Sequence, residues 1–184
     1  IFCLYKCIWI EGRLMSKLVY VNKVVSDGSA TTLKVTGIDS DDVYLLALRL
    51  IQTQNNNEVI NLRVTKSGTA DSTSNYDYGT KVLSSITGFT NNGYTGGTAT
   101  RIMENVDNDY GGGQAILYLY NFNSSSLYSI IQNENCCIVS NQTAGAIGGG
   151  LHKVASASDG IELYGTSGGT FISGASAILY KVAT

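Results

Sequence analysis

The chain has 184 residues, of which 43% are hydrophobic and only 14% are charged, and its formal net charge is −2 at pH 7. Because an ordinary soluble domain carries about 25% charged residues, this surface is expected to be polar rather than ionic. The length suits one domain with a single core. The slightly acidic balance lacks the basic surface that neutralises nucleic-acid phosphates, so no nucleic-acid partner is expected.

The first fourteen residues differ from the rest of the chain. They form an apolar stretch that is interrupted by Lys6 and is followed directly by Met15. The stretch lacks the basic start and the small-residue cleavage site of a signal peptide, and it is too short to span a bilayer. Ile10-Glu-Gly-Arg13 matches a protease site used in expression vectors, but no affinity tag accompanies it. We interpret residues 1–14 as an apolar leader upstream of the natural start, predict one domain over residues 15–184, and expect no membrane association.

Short runs of alternating apolar and polar residues follow Met15, and this pattern is typical of an all-β sandwich or barrel. The clearest alternation is Val59–Val64, which predicts a half-buried strand. The run Val43–Ile51 is apolar almost throughout, and its β-branched and aromatic neighbours favour a central strand over a helix. Further strands are predicted near Leu18–Val25, Thr31–Val35, Lys81–Ile86, Ala99–Glu104, Gln114–Phe122, Leu127–Gln132, Cys136–Ser140, Gly160–Tyr164 and Ser176–Val182.

The predicted fold class is therefore all-β, a single antiparallel β-sandwich. The chain has 21 glycines and no proline, so we expect glycine to make the turns. The predicted connectors are Gln54–Asn57, Thr69–Asn75, Asn91–Gly97, Asp107–Gly113, Asn123–Ser126, Gly145–Gly150 and Gly165–Gly169. The prominent core candidates are Leu46, Leu48, Leu50, Ile60, Leu62, Val64, Leu117, Leu119, Ile161, Leu163, Ile178 and Tyr180.

Residues that could carry catalysis or bind metal are sparse. His152 is the only histidine and has no acidic residue near it in sequence, and no Gly-x-Ser-x-Gly elbow selects a nucleophile. The segment Asn105–Gly111 repeats oxygen ligands at alternate positions, but it lacks the glycine and the glutamate that a calcium loop requires. We predict no catalytic residue, no metal site and no cofactor.

The four cysteines, Cys3, Cys7, Cys136 and Cys137, do not have the spacing of paired zinc ligands. Adjacent residues of a strand point to opposite faces. We therefore predict that Cys136 and Cys137 are free thiols on opposite faces, and a disulfide from either one to the leader stays open as an alternative.

Tyrosine occurs twelve times, and four tyrosines lie in or beside predicted polar loops. Exposed tyrosine rings are amphipathic and suit sugar stacking and protein interfaces. Folding of each ring back over a sandwich edge is the structural alternative. The candidate surface-binding residues are Tyr76, Tyr78, Tyr94 and Tyr110, with a host-surface glycan as the candidate ligand.

Several segments, taken in order over roughly residues 29–182, resemble a module found in virion structural proteins of tailed bacteriophages, particularly those of marine bacteria. The segments are Thr36–Tyr44 with its Gly-Ile-Asp-Ser entry, Val59–Val64, Asn75–Tyr78, Gly113–Ser126 and Gly168–Lys181. The chain departs from that pattern at Lys181, where a glycine commonly follows Leu-Tyr, and at the Cys136-Cys137 pair. The resemblance implies a jelly-roll-like sandwich used in capsid decorations, fibres or tail appendages, and it supplies no catalytic residues.

The expected function is that of a non-enzymatic virion structural protein that contacts other virion proteins. The alternative is a carbohydrate-binding module that recognises the host cell surface. Low charge, together with apolar residues on both faces of Val43–Ile51 and Gln114–Phe122, favours a homo-oligomer. The resemblance favours a trimer, and the leader offers Phe2, Ile8 and Trp9 for docking onto a neighbouring subunit.

Overall fold

A computed structural model describes residues 17–85 and 87–183, and this part of the chain forms thirteen strands and no helix. The leader, with Cys3, Cys7 and its docking side chains, lies outside the described residues. The strands are β1 (Lys17–Val25), β2 (Thr32–Thr36), β3 (Tyr44–Ile51), β4 (Glu58–Lys66), β5 (Thr69–Ala70), β6 (Tyr76–Ser84), β7 (Gly88–Gly97), β8 (Thr100–Val106), β9 (Gly113–Tyr120), β10 (Ser129–Val139), β11 (Gln142–His152), β12 (Gly160–Gly165) and β13 (Ser176–Ala183).

The strands form two antiparallel sheets that pack as a sandwich, which confirms the predicted all-β fold class. The larger sheet has the order β1-β13-β3-β9-β10-β11-β6-β7, and the smaller has the order β2-β12-β4-β5. Strand β8 pairs with β4 of the smaller sheet and lies against β10 and β11 of the larger one. The larger sheet is therefore wider than the smaller, and part of β6 lies against β8.

The core lies between the inner faces of the two sheets. Leu46 and Leu117 from the larger sheet and Leu62 and Leu163 from the smaller one are completely buried. Burying a side chain of this size stabilises the fold by about 1.5–3 kcal/mol. Nine of the twelve core candidates are buried, namely Leu46, Leu48, Ile60, Leu62, Val64, Leu117, Leu119, Ile161 and Leu163.

Three core candidates were wrong, and the register explains each of them. Strand β3 has an irregularity between Leu48 and Ile51, and within it Leu50 has a φ of +53° and is only half-buried. In β13, Leu179 is completely buried. Because neighbours along a strand point to opposite faces, Ile178 and Tyr180 lie on the outer face.

Most predicted strands are confirmed, but several glycine-rich or polar connectors were wrong. The segment Gly145–Gly150 lies inside β11, Asn91–Gly97 lies inside β7, and Thr69–Asn75 begins with the short strand β5. Two predicted strands, Leu127–Gln132 and Cys136–Ser140, belong to the single strand β10. Glycine occupies β11 because of crowding: a Cβ atom on Gly145 would lie 2.3 Å from the carbonyl oxygen of Asn135 on the neighbouring strand.

Candidate functional site

The outer face of the larger sheet carries large apolar side chains across six adjacent strands, from β1 to β11 in the sheet order. One row of directly opposed residues consists of Tyr20, Tyr180, Leu45 and Tyr118, on β1, β13, β3 and β9. The rings of Tyr20 and Tyr180 meet edge to face with centroids 6.3 Å apart. This row therefore places three tyrosine rings on the outer face of the larger sheet.

A second row of opposed residues runs beside the first and extends further across the sheet. It consists of Lys23, Ile178, Ala47, Ile116, Glu134, Ile147, Lys81 and Asn91. Ile116 is 52% exposed and Ile147 is 48% exposed. Lysines therefore stand near both ends of this row, and one glutamate stands between its isoleucines.

We define the outer apolar face as Tyr20, Leu45, Ile116, Tyr118, Ile130, Ile147, Ile178 and Tyr180. Along β3, β9, β10 and β13 its members alternate with buried residues; Ile116, for example, lies between the buried Ala115 and Leu117. The face is therefore a consequence of strands that are apolar on both sides. Exposed apolar side chains grouped on one face in this way are typical of interaction surfaces, and here the polar residues Gln132 and Glu134 of β10 lie among them.

The fold buries one of the four candidate tyrosines and leaves the other three accessible. The prediction of Tyr76 as a surface-binding residue was wrong, because Tyr76 is completely buried in β6 and faces the smaller sheet. Its hydroxyl accepts a hydrogen bond from the amide of Val64 at 3.1 Å and donates one to the carbonyl of Asp71 at 2.9 Å. Burial raises the pKa of the Tyr76 phenol, so the ring is a structural part of the core.

The other three tyrosines are accessible. Tyr78 and Tyr94 are directly opposed on β6 and β7 and line one groove. Tyr110 is 67% exposed and has a φ of +54° in the loop between β8 and β9, and it does not line that groove. The structure therefore brings together two of the four candidates.

His152 has an acidic partner that is distant in sequence. Its Nε2 lies 2.9 Å from Oδ2 of Asp71, and its ring packs on Tyr76 with centroids 4.7 Å apart. Ser129 lies opposite His152 across the β10–β11 pair, and neither Ser129 Oγ nor His152 Nδ1 has a hydrogen-bond partner among the described residues. His152 is 1% exposed and Ser129 is completely buried, so we interpret this cluster as a clamp between the Asp71–Asn75 loop and the core.

The clamp predicts a pH dependence of stability. Burial alone would raise the pKa of Asp71, but hydrogen bonds from Thr73 and His152 outweigh it and hold the pKa below its ordinary value. A carboxylate with a lower pKa in the folded state contributes stability above its unfolded pKa of about 4. That contribution is lost as the pH falls through the folded pKa.

We therefore expect Asp71→Asn to lose less stability than the unmodified chain when urea unfolding at pH 3 is compared with pH 7. Asp41→Asn, at an exposed loop position, is the control and should keep the full pH dependence. Equal pH dependence for Asp71→Asn and the unmodified chain would contradict this role of Asp71.

The two adjacent cysteines lie on opposite faces of β10, as predicted. Cys136 is exposed, Cys137 is buried, and both are free thiols. Burial raises the pKa of Cys137 to about 12, so this thiol is unreactive in the folded protein. A disulfide to the leader concerns Cys3 and Cys7, which lie outside the described residues.

Within residues 17–85 and 87–183, no group of three or more His, Cys, Asp or Glu residues is placed to hold a metal ion. The same residues include no helix that is long and apolar enough to cross a membrane. In the segment Asn105–Gly111, Asn105 and Val106 end β8 and the remaining residues form a turn, in which Asp107 is buried and its Oδ2 accepts a hydrogen bond from the amide of Asn141 at 3.4 Å. Comparison with protein-family models, with curated proteins and with solved structures gave no match.

Proposed function

We propose that this chain is a structural protein of a tailed-bacteriophage virion, as a capsid decoration, fibre or tail-associated component, and that it acts by protein–protein contact. The observation that supports contact with another protein is the outer apolar face. Large side chains such as Ile116 and Ile147 are about half exposed there, and covering each one contributes up to about 1.5–3 kcal/mol. A surface of this kind is suited to continuous contact with another protein rather than to solvent.

The charges on the outer apolar face favour another copy of the same chain as the protein that covers this face. The second row of the face has Lys23 and Lys81 near its ends and Glu134 between them. A copy related by rotational symmetry can place Glu134 against a lysine of its neighbour while the isoleucines pack together. The net charge of −2 adds little repulsion between copies. We propose a homo-oligomer, and the resemblance favours a trimer.

Contacts hold the first and last of the resembling segments together. In the Gly-Ile-Asp-Ser entry, Asp39 Oδ1 accepts a hydrogen bond from the buried Tyr44 hydroxyl at 2.9 Å. Lys181, a departure from the module's pattern, forms an ion pair with Asp42 at 2.6 Å and donates to Ser40 Oγ at 2.9 Å. The first and last resembling segments therefore meet at one end of the sandwich, so their order along the chain has a structural reason.

Mass spectrometry of purified phage particles tests this proposal. In particles from the phage that encodes the chain, we expect it to be present in a fixed ratio to the major capsid protein. Recovery of the chain only from the soluble lysate, with none in the particles, would overturn the proposal.

A carbohydrate-binding module is the second candidate function. The observation that favours it is the groove lined by Tyr78 and Tyr94, because paired accessible aromatic rings beside polar side chains suit a sugar ring.

A further inference from the structure

The groove lies at the edge of the smaller sheet, beside strands β6 and β7 of the larger sheet. Its volume is about 280 Å³, close to the lower end of the pockets that take small ligands. It is lined by Asn61, Tyr78, Tyr94, Gly97, Thr98, Ala99, Arg101, Tyr164 and Thr166. Four segments distant in sequence therefore contribute to a space that fits one small ring.

One side of the groove is a row of polar and aromatic residues on the smaller sheet. Tyr164, Asn61 and Arg101 are directly opposed on β12, β4 and β8. Asn61 Nδ2 donates a hydrogen bond to Thr166 Oγ1 at 2.6 Å, which fixes the amide. Because the amide nitrogen makes this bond, Oδ1 of Asn61 can accept a hydrogen bond from a ligand hydroxyl.

The other side is formed by the opposed pair Tyr78 and Tyr94. The Tyr94 ring packs on Gly97, where a Cβ atom would lie 3.1 Å from Cδ1 of the ring. Tyr94 nevertheless remains 58% exposed. The absence of a side chain at Gly97 therefore lets the ring lie against the backbone and hold one orientation while it stays open to solvent.

The two guanidinium groups near the groove differ in charge balance. Arg101 donates to both carboxylate oxygens of Glu104, at 3.1 and 3.0 Å, so its charge is neutralised. Arg63 lies 4.3 Å from the centre of the Tyr164 ring and donates from Nε to the carbonyl of Thr98 at 3.0 Å. Its terminal nitrogens form no ion pair among the described residues. Glu162, directly opposite Arg63, is paired with Lys34 at 3.5 Å, so these three side chains leave one net positive charge beside the groove.

We propose that this groove binds a sugar ring of a glycan and prefers a ring that carries a carboxylate. Tyr94 stacks on the apolar face of the ring, Asn61 accepts from its hydroxyls, and Arg63 attracts the carboxylate through charge-assisted hydrogen bonds. This site lies away from the outer apolar face. Sugar binding and particle assembly can therefore fail independently, and the two proposals are tested separately.

The test measures saturation-transfer NMR of the full chain with methyl glucuronide and methyl glucoside as probes. We expect saturable binding of both at millimolar concentrations, with the glucuronide bound more tightly. Tyr94→Ala should weaken binding about two- to tenfold, because loss of an aromatic contact costs roughly 0.5–1.5 kcal/mol. Arg63→Gln should remove the preference for the glucuronide and retain binding of the glucoside.

Tyr110→Ala is the matched control, because Tyr110 is as exposed as Tyr94 and lies outside the groove. It should leave binding unchanged, and thermal unfolding of each variant checks that the fold persists. No saturable transfer to either glycoside, or equal binding by Tyr94→Ala and the unmodified chain, would overturn the proposal.

Discussion

Replacing Ile116 by aspartate is expected to dissociate the proposed homo-oligomer into folded monomers. Ile116 stands near the middle of the outer apolar face, between Ala47 and Glu134 on the neighbouring strands. It is 52% exposed in the single chain, so a carboxylate at this position remains hydrated in the monomer. In the oligomer the same carboxylate would be buried beside Glu134 without a partner, at a cost of about 3–5 kcal/mol.

A cost of that size weakens association by about 100-fold or more, and each copy in a symmetric oligomer adds its own carboxylate. Light scattering over a concentration series of the full chain measures the effect. Leu127→Asp is the control, because Leu127 is 54% exposed in the loop between β9 and β10 and lies outside the outer apolar face. An unmodified chain that is monomeric at tens of micromolar, or an Ile116→Asp variant of unchanged mass, would refute the self-association proposal.

Replacing Gly149 by alanine is expected to destabilise the fold by about 3 kcal/mol or more, the upper end of the range for overpacking. A Cβ atom on Gly149 would lie 2.3 Å from the carbonyl oxygen of Ile131 on the adjacent strand β10. That oxygen belongs to the backbone of the larger sheet and cannot move aside by a side-chain rotation. The strands β10 and β11 would have to separate locally, with loss of their hydrogen bonds.

Gly79→Ala is the matched control, because Gly79 is directly opposite Gly149 on β6 and has no atom within 4 Å of its added Cβ. Alanine in a strand is favoured over glycine by roughly 0.5–1 kcal/mol, so this variant should be neutral or slightly more stable. Urea unfolding of both variants gives the comparison. Equal stability of Gly149→Ala and Gly79→Ala would show that the crowding at Gly149 does not determine the geometry of β11.

The alternation of apolar and polar residues correctly predicted strands in which most apolar side chains face the core and the polar ones face outward. In Val59–Val64 the predicted inner face, Ile60, Leu62 and Val64, is buried, and the apolar Val59 shares the partly exposed face with Asn61 and Arg63. Composition failed in β11, because Gly145–Gly150 has the residues of a turn but lies between two paired strands. The reason for those glycines is the close approach of neighbouring backbones, which depends on pairing between distant segments and leaves no local pattern.

The candidate surfaces were predicted only in part for the same reason. Apolar residues on both faces of Val43–Ile51 and Gln114–Phe122 indicated surplus apolar surface, and the fold places these strands side by side. The groove forms where β12, β4 and β8 pair, so no sequence pattern indicated that Asn61, Arg101 and Tyr164 lie together. Tyr76 and Tyr78 have the same polar neighbours in sequence. Tyr76 is buried in the fold and Tyr78 is accessible, and this difference cannot be seen in the sequence.

A high-resolution map of the phage particle tests the central claim most directly, because it identifies both the location of the chain and the surface that it uses. We expect density for the sandwich in the capsid or tail, with Ile116 and Tyr118 packed against a neighbouring copy of the chain. A particle in which the chain is present but Ile116 and Tyr118 face solvent in every copy would contradict the claim.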